Sequence, residues 1–91
     1  MSTQKIRVIF HRDGEAWIAQ GLERDICVQA DRLEDLYGLF EVAVRLEDAE
    51  PGGLERIGQA PQHYYDMWER RSGDFTPNNA SDSCYEVGLA A

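Results

Sequence analysis

Ninety-one residues with 43% hydrophobic content supply one core and not two, so a single domain over residues 1–91 is expected. Seventeen acidic against nine basic side chains give a formal charge of −8, which repels phosphate backbones and removes nucleic acid from the expected direct ligands. The same balance suits a basic protein partner, although solubility alone accounts for it equally simply.

From Lys5 to His11 apolar residues alternate, with Ile6, Val8 and Phe10 on one side, which predicts a strand. Asp13-Gly14 follows, the dipeptide preferred in a type I′ hairpin turn. A second strand is expected over residues 15–22. With Asp13-Gly14 as the two-residue loop, Arg12 faces Glu15, Phe10 faces Trp17, Val8 faces Ala19 and Ile9 faces Ile18. One face then carries Ile6, Val8, Phe10, Trp17, Ala19 and Gly21, almost wholly apolar. The other carries Arg7, Ile9, His11, Ile18 and Gln20, a mixed set. After the polar turn Glu23-Arg24-Asp25 a third strand is expected from Ile26 to Ala30.

Asp31-Arg32-Leu33-Glu34 has the form of a capping box and opens a helix over about residues 32–47. Its stripe of Leu33, Leu36, Tyr37, Phe40, Ala43 and Val44, flanked by Leu39, Val42 and Leu46, is wide enough to lie across one sheet face. Gly38 inside it suggests close approach to the sheet. Pro51-Gly52-Gly53 ends the helix. Pro61 is placed as the first residue of a short aromatic helix holding Tyr64, Tyr65, Met67 and Trp68, which runs to Arg71 and stops before Gly73. Residues 72–83 read as a polar loop, and Cys84 to Ala90 alternate again as a strand returning to the sheet. The expected fold class is therefore α+β: a three-stranded antiparallel sheet, a helix across one face, a short second helix and a returning C-terminal strand.

Chemistry-bearing patterns are sparse. The chain holds no phosphate-binding loop, dinucleotide fingerprint, nucleophile elbow or paired-histidine zinc motif. His11 and His63 fall in different elements, and Cys27 and Cys84 stand far apart in no metal-ligand spacing. Glu15, Glu23 and Asp25 cluster near strand ends, where acids favour turns more than they hold a metal ion. No catalytic residue, cofactor or metal is expected. Met1 to Lys5 is polar, unlike a signal peptide, and no apolar run approaches the roughly 18 to 20 residues of a membrane span, so a cytoplasmic location with reduced thiols is expected.

Three stretches carry a family likeness. The run from Gly14 through Trp17-Ile18-Ala19-Gln20 to Ile26, then Gln29-Ala30-Asp31-Arg32-Leu33-Glu34-Asp35-Leu36, resembles the HicB-like antitoxin family. The segment Pro61-Gln62-His63-Tyr64-Tyr65-Asp66-Met67-Trp68-Glu69 and the ending from Tyr85 to Ala91 are similar to its stand-alone members. The resemblance implies a partial RNase H-like or double-stranded-RNA-binding-like fold, β-β-β-α-β. It also implies a non-catalytic module that masks a small basic RNA-cleaving toxin, here as a small domain without the operator-binding extension. Asp25-Ile26-Cys27 stands where the family commonly carries a longer Asp-Leu-Pro-Gly-Cys turn.

The expected function is thus antitoxin-like protein binding, with an orphan self-associating domain and a metal-dependent nuclease as the other readings. Arg7, Ile9, His11, Ile18, Tyr65 and Trp68 are the candidate partner-binding residues: the mixed sheet face and the aromatic helix would supply an apolar centre. A homo-oligomer is expected on the same grounds, because aromatic residues and Met are enriched at interface centres.

Overall fold

The computed structural model describes residues 6–75 and 85–90. Strand β1 (Ile6–Asp13) buries Val8, Ile9 and Phe10 in succession. Consecutive strand residues point to opposite faces, so an unbroken buried run requires cover on both. That cover comes from two helices, one on each side of a five-stranded mixed sheet ordered β3-β2-β1-β5-β4, with β1 at its centre.

β1 pairs antiparallel with β2 (Ala16–Gly21), which pairs antiparallel with β3 (Cys27–Ala30). On its other side β1 pairs in parallel with β5 (Tyr85–Ala90), and β4 (Gly73–Phe75) closes that edge antiparallel to β5. The returning strand is present, but the sheet has five strands rather than three plus one. β4 lies within the stretch expected to be loop: only three residues long, it carries no readable alternation. Lys5 and Cys84, expected in strands, and residues 76–83, expected in a loop, lie outside the described residues.

The first hairpin shows a second correction. Asp13 pairs with Ala16, Arg12 with Trp17, Phe10 with Ala19 and Val8 with Gly21, so the two-residue loop is Gly14-Glu15 and not Asp13-Gly14. Gly14 has φ +65° and, among the described residues, no non-glycine has positive φ, which is the type II′ pattern with the glycine at the first central position. A type I′ turn would have forced Asp13 into the left-handed region as well. The register moves by two residues, and because side chains alternate with a period of two, every residue keeps its expected face. Ile9, however, now faces Gln20, and His11 faces Ile18.

Helix α1 (Leu33–Asp48) lies on the face of Val8, Phe10, Ala19 and Val87, burying Leu36, Phe40 and Val44 against them. Tyr85 meets the rings of Tyr37 and Phe40 edge-on, with centroids 5.8 and 5.7 Å apart. The capping box does not form: Arg32 is the N-cap, no side chain caps the helix, and the Glu34 carboxylate accepts from Arg32 Nη2 at 2.6 Å instead. Gly38 is exposed, and a Cβ there would meet nothing within 4 Å, so sheet approach is not its role.

A 3-10 turn (Leu54–Arg56) follows, and residues 57–60 carry the chain to the opposite face by clamping the loop after β2. Gly58 O accepts from Asp25 N at 2.8 Å, Ile57 O from Arg24 Nη1 at 3.0 Å, and Ala60 N donates to Leu22 O at 2.9 Å. Helix α2 (Gln62–Glu69) has Pro61 as its N-cap, not its first residue, and ends two residues short of the expected Arg71. Among the described residues no helix is long and apolar enough to cross a membrane.

Candidate functional site

Odd-numbered residues of β1 and even-numbered residues of β2 share the face under α2, so Arg7, Ile9, His11 and Ile18 stand on one surface with Tyr65 and Trp68 above or beside it. The six candidates are therefore brought to the same side of the sheet. They form a second core more than an open surface. Ile9 is 0% exposed and Trp68 5%, packed with Leu22 and bordered by Tyr64, Tyr65, Met67 and Ala90. As folded, the apolar centre foreseen for a partner or for a second copy is occupied by the chain's own helix.

Arg7 is the charged member of this layer. Its backbone N donates to Glu23 Oε1 at 2.8 Å and its Nε to Glu23 Oε2 at 2.6 Å, a two-pronged contact that ties β1 to the loop after β2. The guanidinium also lies 5.3 Å from the Tyr65 ring centroid and 5.9 Å from that of Trp68, within cation–π range. Tyr65 OH donates to Leu22 O at 2.8 Å, and burial, with the Glu23 carboxylate nearby, pushes its phenol above the ordinary value. Tyr65 is thereby held as a neutral donor that pins α2.

His11 lies further along the same strand, its ring 5.9 Å from that of Tyr64, which in turn sits 4.0 Å from His63. Its Nε2 is buried without a hydrogen-bond partner, and burial lowers its pKa from the usual histidine value. Ile18, opposite His11, is half-buried and lies outside the apolar cluster that α2 covers. Beside it Cys27 and Gln29 on β3 are exposed, and burial of its sulfur, with Asp25 close by, raises the Cys27 thiol.

Several residues with a part in this layer were not singled out from sequence. Gln20 is buried and donates from Nε2 to Gly21 O at 2.9 Å and to Asp25 Oδ1 at 2.8 Å, so Asp25 has a structural task. Arg71 covers the outer face of Trp68 at 4.2 Å and binds Trp68 O and Asp74 Oδ1. Gly88 lets both approach: a Cβ there would lie 2.5 Å from Arg71 Cδ and 3.0 Å from Trp68 Cζ3. A glycine within an alternating strand is the signal that could have located this contact. Among the described residues no three His, Cys, Asp or Glu side chains group as a metal ion would need.

Comparisons with protein-family models, curated proteins and solved structures each return no match. Function has to be argued from the chain's own chemistry.

Charge supplies that argument. Arg7, Arg32, Arg45, Arg56 and Arg71 are each held by a carboxylate of the same chain, namely Glu23, Glu34, Glu41, Glu50 and Asp74. Exposed carboxylates outside these pairs include Asp13 and Glu15 at the tip of the first hairpin, Asp25 in the loop at the other end of β2, Asp31, Asp35, Glu47 and Asp48 around α1, and Asp66 and Glu69 on α2. Among the described residues five arginines are spent internally, while acids on β1, both helices and β5 face solvent.

Proposed function

We propose that this chain is a non-catalytic protein-binding module, antitoxin-like, that captures a small basic partner of the RNA-cleaving-toxin kind. The observation that carries the reading is the acidic surface left over once five arginines are neutralised by carboxylates of the same chain. Such a surface accelerates encounter with a basic protein and rejects acidic ones. The motif resemblance to HicB-like antitoxins adds a partner class. The β1-β2-β3-α1 order, with β5 returning beside β1, is compatible with the partial RNase H-like arrangement that resemblance implies.

Because Ile9 and Trp68 are enclosed, their part is to hold α2 in place. The accessible contact region is the part of that face where half-buried Ile18 and exposed Gln29, paired across β2 and β3, adjoin the acids of the hairpin tip. Co-expression with the product of the adjacent open reading frame, followed by affinity pull-down and stopped-flow association, tests the proposal. A short basic protein should co-purify, with an association rate that falls as salt rises. An adjacent product that fails to bind, or binds with a salt-independent rate, would remove it.

A further inference from the structure

β3 is an edge strand: the sheet order leaves its outer side without a neighbouring strand. Antiparallel pairs alternate between hydrogen-bonded and non-hydrogen-bonded. Gly21 N donates to Ile26 O at 2.8 Å, so in the register that pairs Ala19 with Val28 and Trp17 with Ala30 these pairs are the bonded ones. Cys27 and Gln29 therefore turn their N–H and C=O groups away from β2, toward the open edge. Both residues are exposed, and the strand has no lysine, proline or bulge of the kind that blunts an edge.

Helix α1 overhangs this edge. Tyr37 meets Tyr85 of β5 on one flank, and helical residues turn by about 100° each, so Leu39 and Leu46 project on the opposite flank, toward β3. They are 44 and 69% exposed. Beside them a cavity of about 380 Å³ is lined by Ala43, Leu46 and Glu47 together with Asp25, Ile26 and Ile57, which sets this apolar shoulder against the start of β3. A helix that carries apolar side chains past the last strand is covered by one strand more. Charge says whose. Asp25 precedes β3 and Asp31 follows it; both are exposed, and among the described residues neither has an ion pair. Of the arginines alongside, Arg24 donates to Ile57 O and Arg32 is held by Glu34. A second copy fits poorly. The antiparallel register that engages both Cys27 and Gln29 pairs each with the other and sets Asp25 opposite Asp31 at both ends, between chains of charge −8.

We infer that the β3 edge takes a sixth strand from a basic protein partner: an extended segment whose apolar side chains cover Leu39 and Leu46 and whose alternating basic ones meet Asp25 and Asp31 at the strand's ends. This rests on the basic-partner proposal and adds the mode of binding. Main-chain hydrogen bonds to Cys27 and Gln29 supply affinity, and the alternation of side chains supplies selectivity.

The probe is a short peptide alternating lysine and valine, set beside the same peptide with every backbone amide N-methylated, which keeps the charge and removes the donors. Titrated into the isotope-labelled chain, the unmodified peptide should slow amide exchange at Cys27 and Gln29 by roughly ten-fold or more, and the methylated one should leave it unchanged. Gln29→Pro, which removes an outward N–H, and Leu39→Gln/Leu46→Gln should each weaken peptide binding by about ten-fold, with the circular dichroism of the parent. Unchanged exchange at both amides, equal binding of the methylated peptide, or full affinity in folded Gln29→Pro overturns the inference and leaves capture of a basic protein standing. So does a salt-dependent complex with the adjacent gene product in which Cys27 and Gln29 stay unprotected. Slow exchange at both amides in the chain alone, growing with its concentration, gives the edge to a second copy and overturns it too. Protection by the peptide without capture of the adjacent product supports the edge site and removes only the antitoxin-like identity.

Discussion

At His11 the imidazole is enclosed by Tyr64 and its own strand, with Nε2 buried and unpaired. A proton added there gains no acceptor and loses its hydration, so burial holds the pKa below the usual histidine value, against the pull of the Arg12 backbone and Asp13. The sign of the pH effect follows. As pH falls below the unfolded value, the unfolded chain takes up the proton first, so stability is full above that value and declines toward and through the folded pKa. Urea unfolding between pH 7 and 5 should therefore show stability falling with acid, with a shallower slope in His11→Gln. Equal slopes would mean that the ring is freely hydrated. The sequence showed His11 on a strand face, but its unpaired nitrogen depends on Tyr64, which lies far along the chain and arrives only when α2 docks.

Each sheet face has its own helix, and the two layers differ in how far they could be read from sequence. The α1 layer was legible because Val8, Phe10 and Ala19 alternate and Leu36, Phe40 and Val44 recur at helical spacing. Even a hairpin register mistaken by two residues preserved it, since parity is what sorts side chains between faces. The α2 layer was read as open because Arg7, Ile9, His11 and Gln20 look mixed; their polar groups are in fact satisfied or enclosed by Glu23, Asp25 and α2, all distant or loop-borne. Parallel pairing of β1 with β5 was equally unreadable, because alternation identifies a strand and not its neighbour. Packing still yields a measurable consequence in the better-read layer. Phe10 is 0% and Phe40 2% exposed, so truncation leaves a cavity as well as losing apolar burial. Phe10→Ala and Phe40→Ala should each destabilise by about 3 to 5 kcal/mol in urea or thermal unfolding. Variants that melt within a degree or two of the parent would show that this layer does not carry the stability.

Over the whole molecule, electrostatics outweighs local detail in deciding what can approach. A chain of net charge −8 that commits Arg7, Arg32, Arg45, Arg56 and Arg71 to its own carboxylates offers a polyphosphate little to hold. Binding to duplex nucleic acid gains most of its nonspecific affinity when clustered Lys and Arg displace the counterions condensed on its phosphates, and the affinity rises steeply as salt is lowered. Here the nearest approach to such a cluster among the described residues is Arg70-Arg71, and Arg71 is drawn down onto Trp68 and Asp74 with Glu69 alongside. Fluorescence anisotropy with labelled duplex DNA and duplex RNA should thus show no binding at physiological salt, and lowering the salt should not induce it, because repulsion between the net charges grows as screening weakens. Anisotropy that climbs as salt is removed would require a cationic surface, and the acidic-capture reading would fall with it. The same titration against a basic protein of similar size should show the reverse dependence, with association favoured at low salt, so the two arms together separate a charge-selective module from one indifferent to charge.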